Sequence, residues 1–189
     1  MNRKDYILFD LDGTLTDPKE GITKSVQHAL AHFGIQTDDL DSLTPFIGPP
    51  LRDSFKKYYG FSDEQAWEGV QAYREYFSVR GWVQNKEYPG IKEMLEALKE
   101  AGRVLLVATS KPEKFARKIL EHFDMADYFD FIGGADMGET RVRKGDVIRY
   151  VLEQCGLESD DETIGRCVMV GDREHDVLGA RECGMECVG

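Results

Sequence analysis

Short apolar runs separated by amphipathic helical stretches constrain this chain more than any other feature. Tyr6-Ile-Leu-Phe9 stops abruptly at Asp10 and reads as a buried strand feeding a loop. Val104 to Ala108 is continuously apolar, Phe129-Asp-Phe-Ile-Gly133 gives another short strand, Cys167-Val-Met-Val170 a further one, and Glu186-Cys-Val188 the last. Helical spacing fills the intervals. Ile91, Met94, Leu95 and Leu98 precede a stop at Gly102, and Pro112 to Phe123, Gly145 to Cys155 and His175 to Cys183 are expected helices. Apolar strands joined by helical crossovers bury both faces of a parallel sheet. The expected class is therefore α/β, a Rossmann-like parallel sheet core with helices on both faces.

One block breaks the alternation. Ile22, Val26, Ala29, Leu30 and Phe33 fall at helical spacing, with Pro18 suited to a first turn and Gly34 to a stop. Two more helices are expected near Leu51 to Tyr59 and Asp63 to Val79. The second puts Trp67, Val70, Tyr73 and Phe77 on one stripe, read as helix-packing core. The block is expected to be an all-helical subdomain, residues 16–86, inserted in a core made of residues 1–15 and 87–189. Segments near Thr16 to Glu20 and Gln84 to Pro89 would be the hinges.

Charge narrows the function. The formal net charge is −11, from 35 acidic and 24 basic residues. That balance argues against a nucleic-acid partner, which needs a basic footprint. It also repels an anionic substrate unless a local cation inverts the field. The longest apolar run, Val104 to Ala108, is too short to span a bilayer, and no secretory signal is visible, so a cytoplasmic protein with no membrane partner is expected. Cys155, Cys167, Cys183 and Cys187 form no Cys-x-x-Cys pair and are read as reduced, mostly buried thiols.

In an open parallel sheet, ligands bind beyond the carboxyl ends of the strands. The first strand ends in Asp10 and Asp12, two positions apart and so able to project to one side. The second ends in Thr109-Ser110, Lys144 stands directly before a helix, and the fourth leads to Gly171-Asp172 with Asp176 four residues on. Four converging carboxylates carry far more negative charge than Lys144 returns. A phosphate could not join them without another cation, and a hard, oxygen-liganded divalent ion such as magnesium is the natural remedy.

Phe9-Asp10-Leu-Asp12-Gly13-Thr14-Leu-Thr-Asp17 resembles the first signature of the haloacid dehalogenase superfamily of phosphohydrolases. Thr109, Lys144 and Gly171-Asp172-x-x-x-Asp176 match its other motifs in order, and the helical block resembles that family's small cap. The resemblance is to phosphoglycolate phosphatase-like and 5′-nucleotidase-like members. It implies a Mg2+-dependent phosphatase acting through an aspartyl-phosphate. Asp10 would be the nucleophile and Asp12 the acid and base. Asp10, Asp172 and the backbone carbonyl of Asp12 would hold magnesium, with Asp176, Thr14 and Gly13 in support. Thr109 and Ser110 would meet the phosphoryl oxygens, and Lys144 would neutralise charge. Lys111, Arg173, Glu174 and His175 are read as rim or supporting residues.

Substrate choice is assigned to the block around Phe46 to Arg52, where Arg52 could bind an anionic group. A small phosphate monoester is expected, phosphoglycolate or a nucleoside monophosphate, handled by a monomer or homodimer. A phosphomutase and a non-catalytic phospho-ligand module stay open as alternatives. Relatives of this kind continue past the last strand, so the sequence also raises the expectation of a truncated or missing terminal segment.

Overall fold

The computed structural model describes residues 3–138, 140–157 and 160–189. Strand β1 is Tyr6–Phe9, β2 is Thr16–Asp17, and helix α1 is Lys19–His32. Helices α2 (Leu51–Tyr59) and α3 (Asp63–Phe77) follow, then β3 (Lys86–Glu87) and α4 (Ile91–Glu100). Beyond them lie β4 (Val104–Pro112), α5 (Glu113–His122), β5 (Phe131–Ala135), α6 (Lys144–Gln154) and α7 (Asp161–Gly165). The described chain closes with β6 (Cys167–Val170), α8 (Glu174–Glu182) and β7 (Glu186–Val188).

Five strands form one parallel sheet in the order β5-β4-β1-β6-β7. From β1 the chain builds outward to β4 and β5, then returns to lay β6 and β7 on the other side. The strand order therefore reverses beside β1, which is where such a sheet opens a crevice at its carboxyl edge. Phe9 pairs with Val107 on one side and Val170 on the other, so the next residues, Asp10, Ala108 and Gly171, lie at one level.

The two faces of the sheet are covered differently. Leu8, Leu106, Ala108 and Met169 pack with Val147, Ile148, Val151 and Leu152 of α6, Ile164 of α7 and Ala180 of α8. Phe9, on the alternate face, meets Phe129 edge-on at 6.1 Å. Leu8 and Leu106 have no exposed surface, as central parallel strands require.

By packing, the described chain divides into two compact units, Met1–Thr16 with Glu87–Gly189, and Asp17–Lys86. The short strands β2 and β3, where the chain leaves and re-enters the larger unit, pair with each other. Within the helical unit, Phe55 stacks on Phe61 at 5.7 Å and Phe46 meets Phe55 at 5.1 Å. Ser62 caps α3 through a reciprocal box with Gln65.

Several local expectations are corrected. Trp67 is 39% exposed, whereas Val70, Tyr73 and Phe77 are buried. The buried stripe of α3 runs through Ala66, Val70, Tyr73 and Phe77, and Trp67 stands about 100° around the helix from Ala66. The strand expected over Phe129–Gly133 begins instead at Phe131, after a 3-10 turn at Ala126–Tyr128. Asp130 spends its side chain on the Leu105 amide, at 3.1 Å. Strand β4 continues past Ala108 to Pro112, with an irregular register after Thr109. The short helix α7 was not anticipated; Asp160 caps it by accepting from the Glu162 and Thr163 amides. All four cysteines are free, with Cys167 buried and the others half-buried. Among the described residues, no helix is long and apolar enough to cross a membrane.

Candidate active site

The site grows from the end of β1. The Asp10 amide donates to the Val170 carbonyl at 2.9 Å, which carries the ladder one residue beyond the strand. The chain then turns sharply. The amides of Leu15 and Thr16 donate to the Leu11 carbonyl at 3.0 and 3.1 Å, and Gly13 adopts a φ of 96°. Gly13 is required twice: its backbone is left-handed, and a Cβ there would run into the Asp172 carboxylate.

Lys144, the first residue of α6, reaches back into this turn. Its ammonium donates to Asp10 Oδ1 at 2.7 Å and to the Ala108 carbonyl at 2.9 Å, and lies 2.8 Å from Asp176 Oδ1. Three acceptors match its three donors. Asp10, Lys144 and Asp176 are 4%, 6% and 1% exposed. Burial opposes the charge on Lys144, but the neighbouring Asp10 and Asp176 outweigh it and hold the ammonium's pKa above its usual value. Gly179 has no Cβ, which leaves room for the Lys144 stem.

Asp12 is served by a different cation. Lys111 Nζ lies 2.6 Å from Asp12 Oδ2, with side chains 5% and 9% exposed. Asp12 Oδ1 is buried without a hydrogen-bond partner among the described residues. Burial drives the Asp12 carboxyl upward, Lys111 pulls it back, and the net shift is up.

Asp172 and Asp176 follow β6. Asp176 Oδ2 accepts from the Arg173 amide at 3.0 Å, and Gly171 lacks the Cβ that would collide with Asp176. Thr14 Oγ1 approaches Asp172 Oδ1 at 3.4 Å, and Arg173 Nε stands 3.0 Å from Asp172 Oδ2. Burial, followed by the proximity of Asp10, holds Asp172 above its ordinary value despite Arg173. Asp176 is also raised, by burial first, with Lys144 opposing and Asp10 adding to it. One carboxylate oxygen from each of Asp10, Asp172 and Asp176 lies within 4.8 Å of the others. Hard oxygen donors this close repel one another and suit a hard divalent cation.

The residues singled out from the sequence thus separate into groups. Asp10, Lys144, Asp172 and Asp176 converge, Gly13 and Thr14 shape the turn beside Asp172, and Thr109 is buried with its hydroxyl accepting from the Lys111 amide at 3.2 Å. Ser110 is half-buried next to it. Arg52, in the helical unit, lies 3.7 Å from Asp63 and 5.9 Å from the Trp67 ring centre. Of the two places expected for Lys111, rim or supporting, the structure has the second: it is 8% exposed and bonded to Asp12. The signal was its spacing. Thr109 and Lys111 are two positions apart on a strand that continues, whereas ending β4 at Ala108 hid their shared direction.

Residues 7–189 match the family model described as "Haloacid dehalogenase-like hydrolase". The chain belongs to the haloacid dehalogenase-like hydrolase family. Among its relatives, a protein of Pseudomonas aeruginosa named 5′-nucleotidase is 51% identical over 183 residues, covering 97% of this chain and 80% of that protein. The tyrosine-protein kinase PtkA of Mycobacterium tuberculosis is 43% identical over 182 residues; the match covers 96% of this chain but 60% of that protein. The crystal structure of a "predicted phosphatase" from Clostridium acetobutylicum superposes with a TM-score of 0.94 at 48% identity, covering 100% of this chain and 85% of that one.

Proposed function

We propose that this protein is a magnesium-dependent phosphomonoesterase that transfers the phosphoryl group to Asp10 and then to water. The observation that carries the proposal is the paired arrangement at the end of β1: Asp10 held by Lys144 and Asp12 held by Lys111, each pair buried. Two carboxylates two residues apart, in separate environments, can divide the work of nucleophile and acid.

In this reading an Asp10 carboxylate oxygen forms a bond to phosphorus while the ester P–O bond breaks. Asp12 gives its proton to the departing oxygen. Its upward shift favours the protonated form that this step needs. In the second half a water attacks phosphorus, Asp12 takes its proton, and the Asp10–phosphorus bond breaks. Lys144 offsets charge on Asp10 and the phosphoryl group, and Thr109 directs its hydroxyl to a phosphoryl oxygen.

Asp10 and Asp172 would hold the metal, with the Asp12 backbone carbonyl and with Asp176 in support. When bound, the ion screens these carboxylates and the phosphoryl oxygens from one another.

A nucleoside monophosphate is the favoured substrate over phosphoglycolate, because the relative at 51% identity is named a 5′-nucleotidase. The helical unit is assigned the part of the family's substrate-selecting cap. The four free thiols fit a reducing compartment, and the cytoplasm is the proposed location.

The test is phosphate release from p-nitrophenyl phosphate, nucleoside monophosphates and phosphoglycolate, with magnesium, with EDTA, and with Asp10→Asn. Magnesium-dependent release abolished by Asp10→Asn supports the reading; no release from any ester sinks it. Because one relative is named a tyrosine kinase, the same preparation is given labelled ATP. Stable label on tyrosine without phosphate release would favour that activity instead.

A further inference from the structure

Lys111 has a feature that a simple counter-ion would not need. Its ammonium binds one oxygen of Asp12, Oδ2 at 2.6 Å, and leaves the other, Oδ1, buried with no hydrogen-bond partner among the described residues. A buried unpaired oxygen costs free energy, so the site retains an acceptor that nothing among the described residues satisfies. The arrangement also holds Lys111 firmly. Its amide donates to Thr109 Oγ1 at 3.2 Å, and its residue lies in β4 just before Pro112 leads into α5. Gly134 of β5 comes so close that a Cβ there would stand 2.5 Å from the Lys111 carbonyl oxygen. The ammonium is therefore delivered from a packed strand end.

We propose that Lys111 is a positioning residue for proton transfer: by anchoring Asp12 Oδ2 it makes Oδ1 the one oxygen that exchanges a proton with substrate. This deepens the phosphomonoesterase reading and rests on it. As the ester P–O bond breaks and the Asp10–phosphorus bond forms, the proton on Asp12 Oδ1 passes to the leaving oxygen. When water attacks, its proton returns to Oδ1 and the Asp10–phosphorus bond breaks. Lys144 cannot substitute, because its three donors are taken by Asp10, Asp176 and the Ala108 carbonyl.

A lysine that only props up the fold, or that only binds the phosphoryl group, would affect every substrate alike. A lysine that orients the proton donor matters most where the leaving oxygen most needs a proton. The experiment therefore measures kcat for wild type, Lys111→Met and Lys111→Arg on p-nitrophenyl phosphate, phenyl phosphate and adenosine monophosphate, in order of rising leaving-group basicity. Magnesium affinity is read by calorimetry and folding by urea denaturation.

The expected loss in Lys111→Met grows from within about threefold on p-nitrophenyl phosphate to about a hundredfold on adenosine monophosphate, the scale of general acid catalysis. Lys111→Arg recovers part of it, and magnesium affinity, measured on each variant, separates a loss of metal from a loss of proton transfer. A uniform loss across the three esters, or no loss, overturns the proposal while leaving the phosphatase reading intact. Wild-type failure on all three esters overturns the phosphatase reading and the inference with it. If Lys111→Met does not fold, Lys111→Gln and Lys111→Arg carry the same comparison.

Discussion

Replacing Lys144 with methionine keeps much of the side chain's length and removes its charge and its donors. In the native site that ammonium satisfies Asp10 Oδ1, Asp176 Oδ1 and the Ala108 carbonyl, all within 2.9 Å. Asp176 would retain the Arg173 amide on its other oxygen, whereas Asp10 Oδ1 and the Ala108 carbonyl would lose the bonds made by Lys144. Removing one member of a buried pair costs about 3–5 kcal/mol, because a charge is left behind in a poorly polarisable place. Here two carboxylates share the lost cation, but Asp176, already raised by burial, can take up a proton, which caps the penalty near that range.

The pH dependence has a definite sign. In the wild type, Lys144 is raised by its carboxylates, so its contribution is fully present below the unfolded lysine value and is lost only as pH rises through the folded one. In Lys144→Met, Asp176, already raised by burial, loses the ammonium that opposes that shift, so its penalty is present at neutral pH and relieved on acidification. Urea denaturation in EDTA at pH 7.5 and pH 5, with m-values compared, measures both quantities. A cost below about 1 kcal/mol at pH 7.5, or a larger cost at pH 5, would refute the reasoning that one ammonium neutralises both carboxylates.

Gly13→Ala combines a strained left-handed backbone with a Cβ forced on Asp172, so it should cost about 2–4 kcal/mol and weaken magnesium binding; urea midpoints and calorimetry check both. Asp172→Asn removes a carboxylate raised by burial and by Asp10. It should therefore melt at a higher temperature than wild type in EDTA, yet show a smaller rise on adding magnesium. A lower melting point in EDTA would contradict the repulsion described among these acids. Asp5, held low first by Arg166 and then also by Arg3 and Arg103, contributes stability above its unfolded value that is lost as pH falls through the folded one. Thermal melts of Asp5→Asn and wild type should differ at pH 6 and converge as acid protonates Asp5 in both states, and a gap that persists in strong acid would argue against the ion pairs as its source.

The class of fold and the chemistry at its strand ends are legible in the residues alone. Strands such as Tyr6–Phe9 and Cys167–Val170, apolar throughout and separated by helical periods, leave little besides a covered parallel sheet, because only that arrangement buries both faces. The same local logic marked Asp10, Asp12, Asp172 and Asp176, since acids directly after buried strands stand at the crevice edge. What local pattern does not encode is which charge meets which. Lys144 and Lys111 lie 134 and 99 residues from the aspartates they bind, and each is brought there by the strand order on either side of β1. The exposure of Trp67 and the continuation of β4 to Pro112 were likewise decided by neighbours remote in sequence, through packing and register. Periodicity reports the face that a residue occupies; the partner on that face, and hence the division of Asp10 and Asp12 between two lysines, exists only in the folded chain.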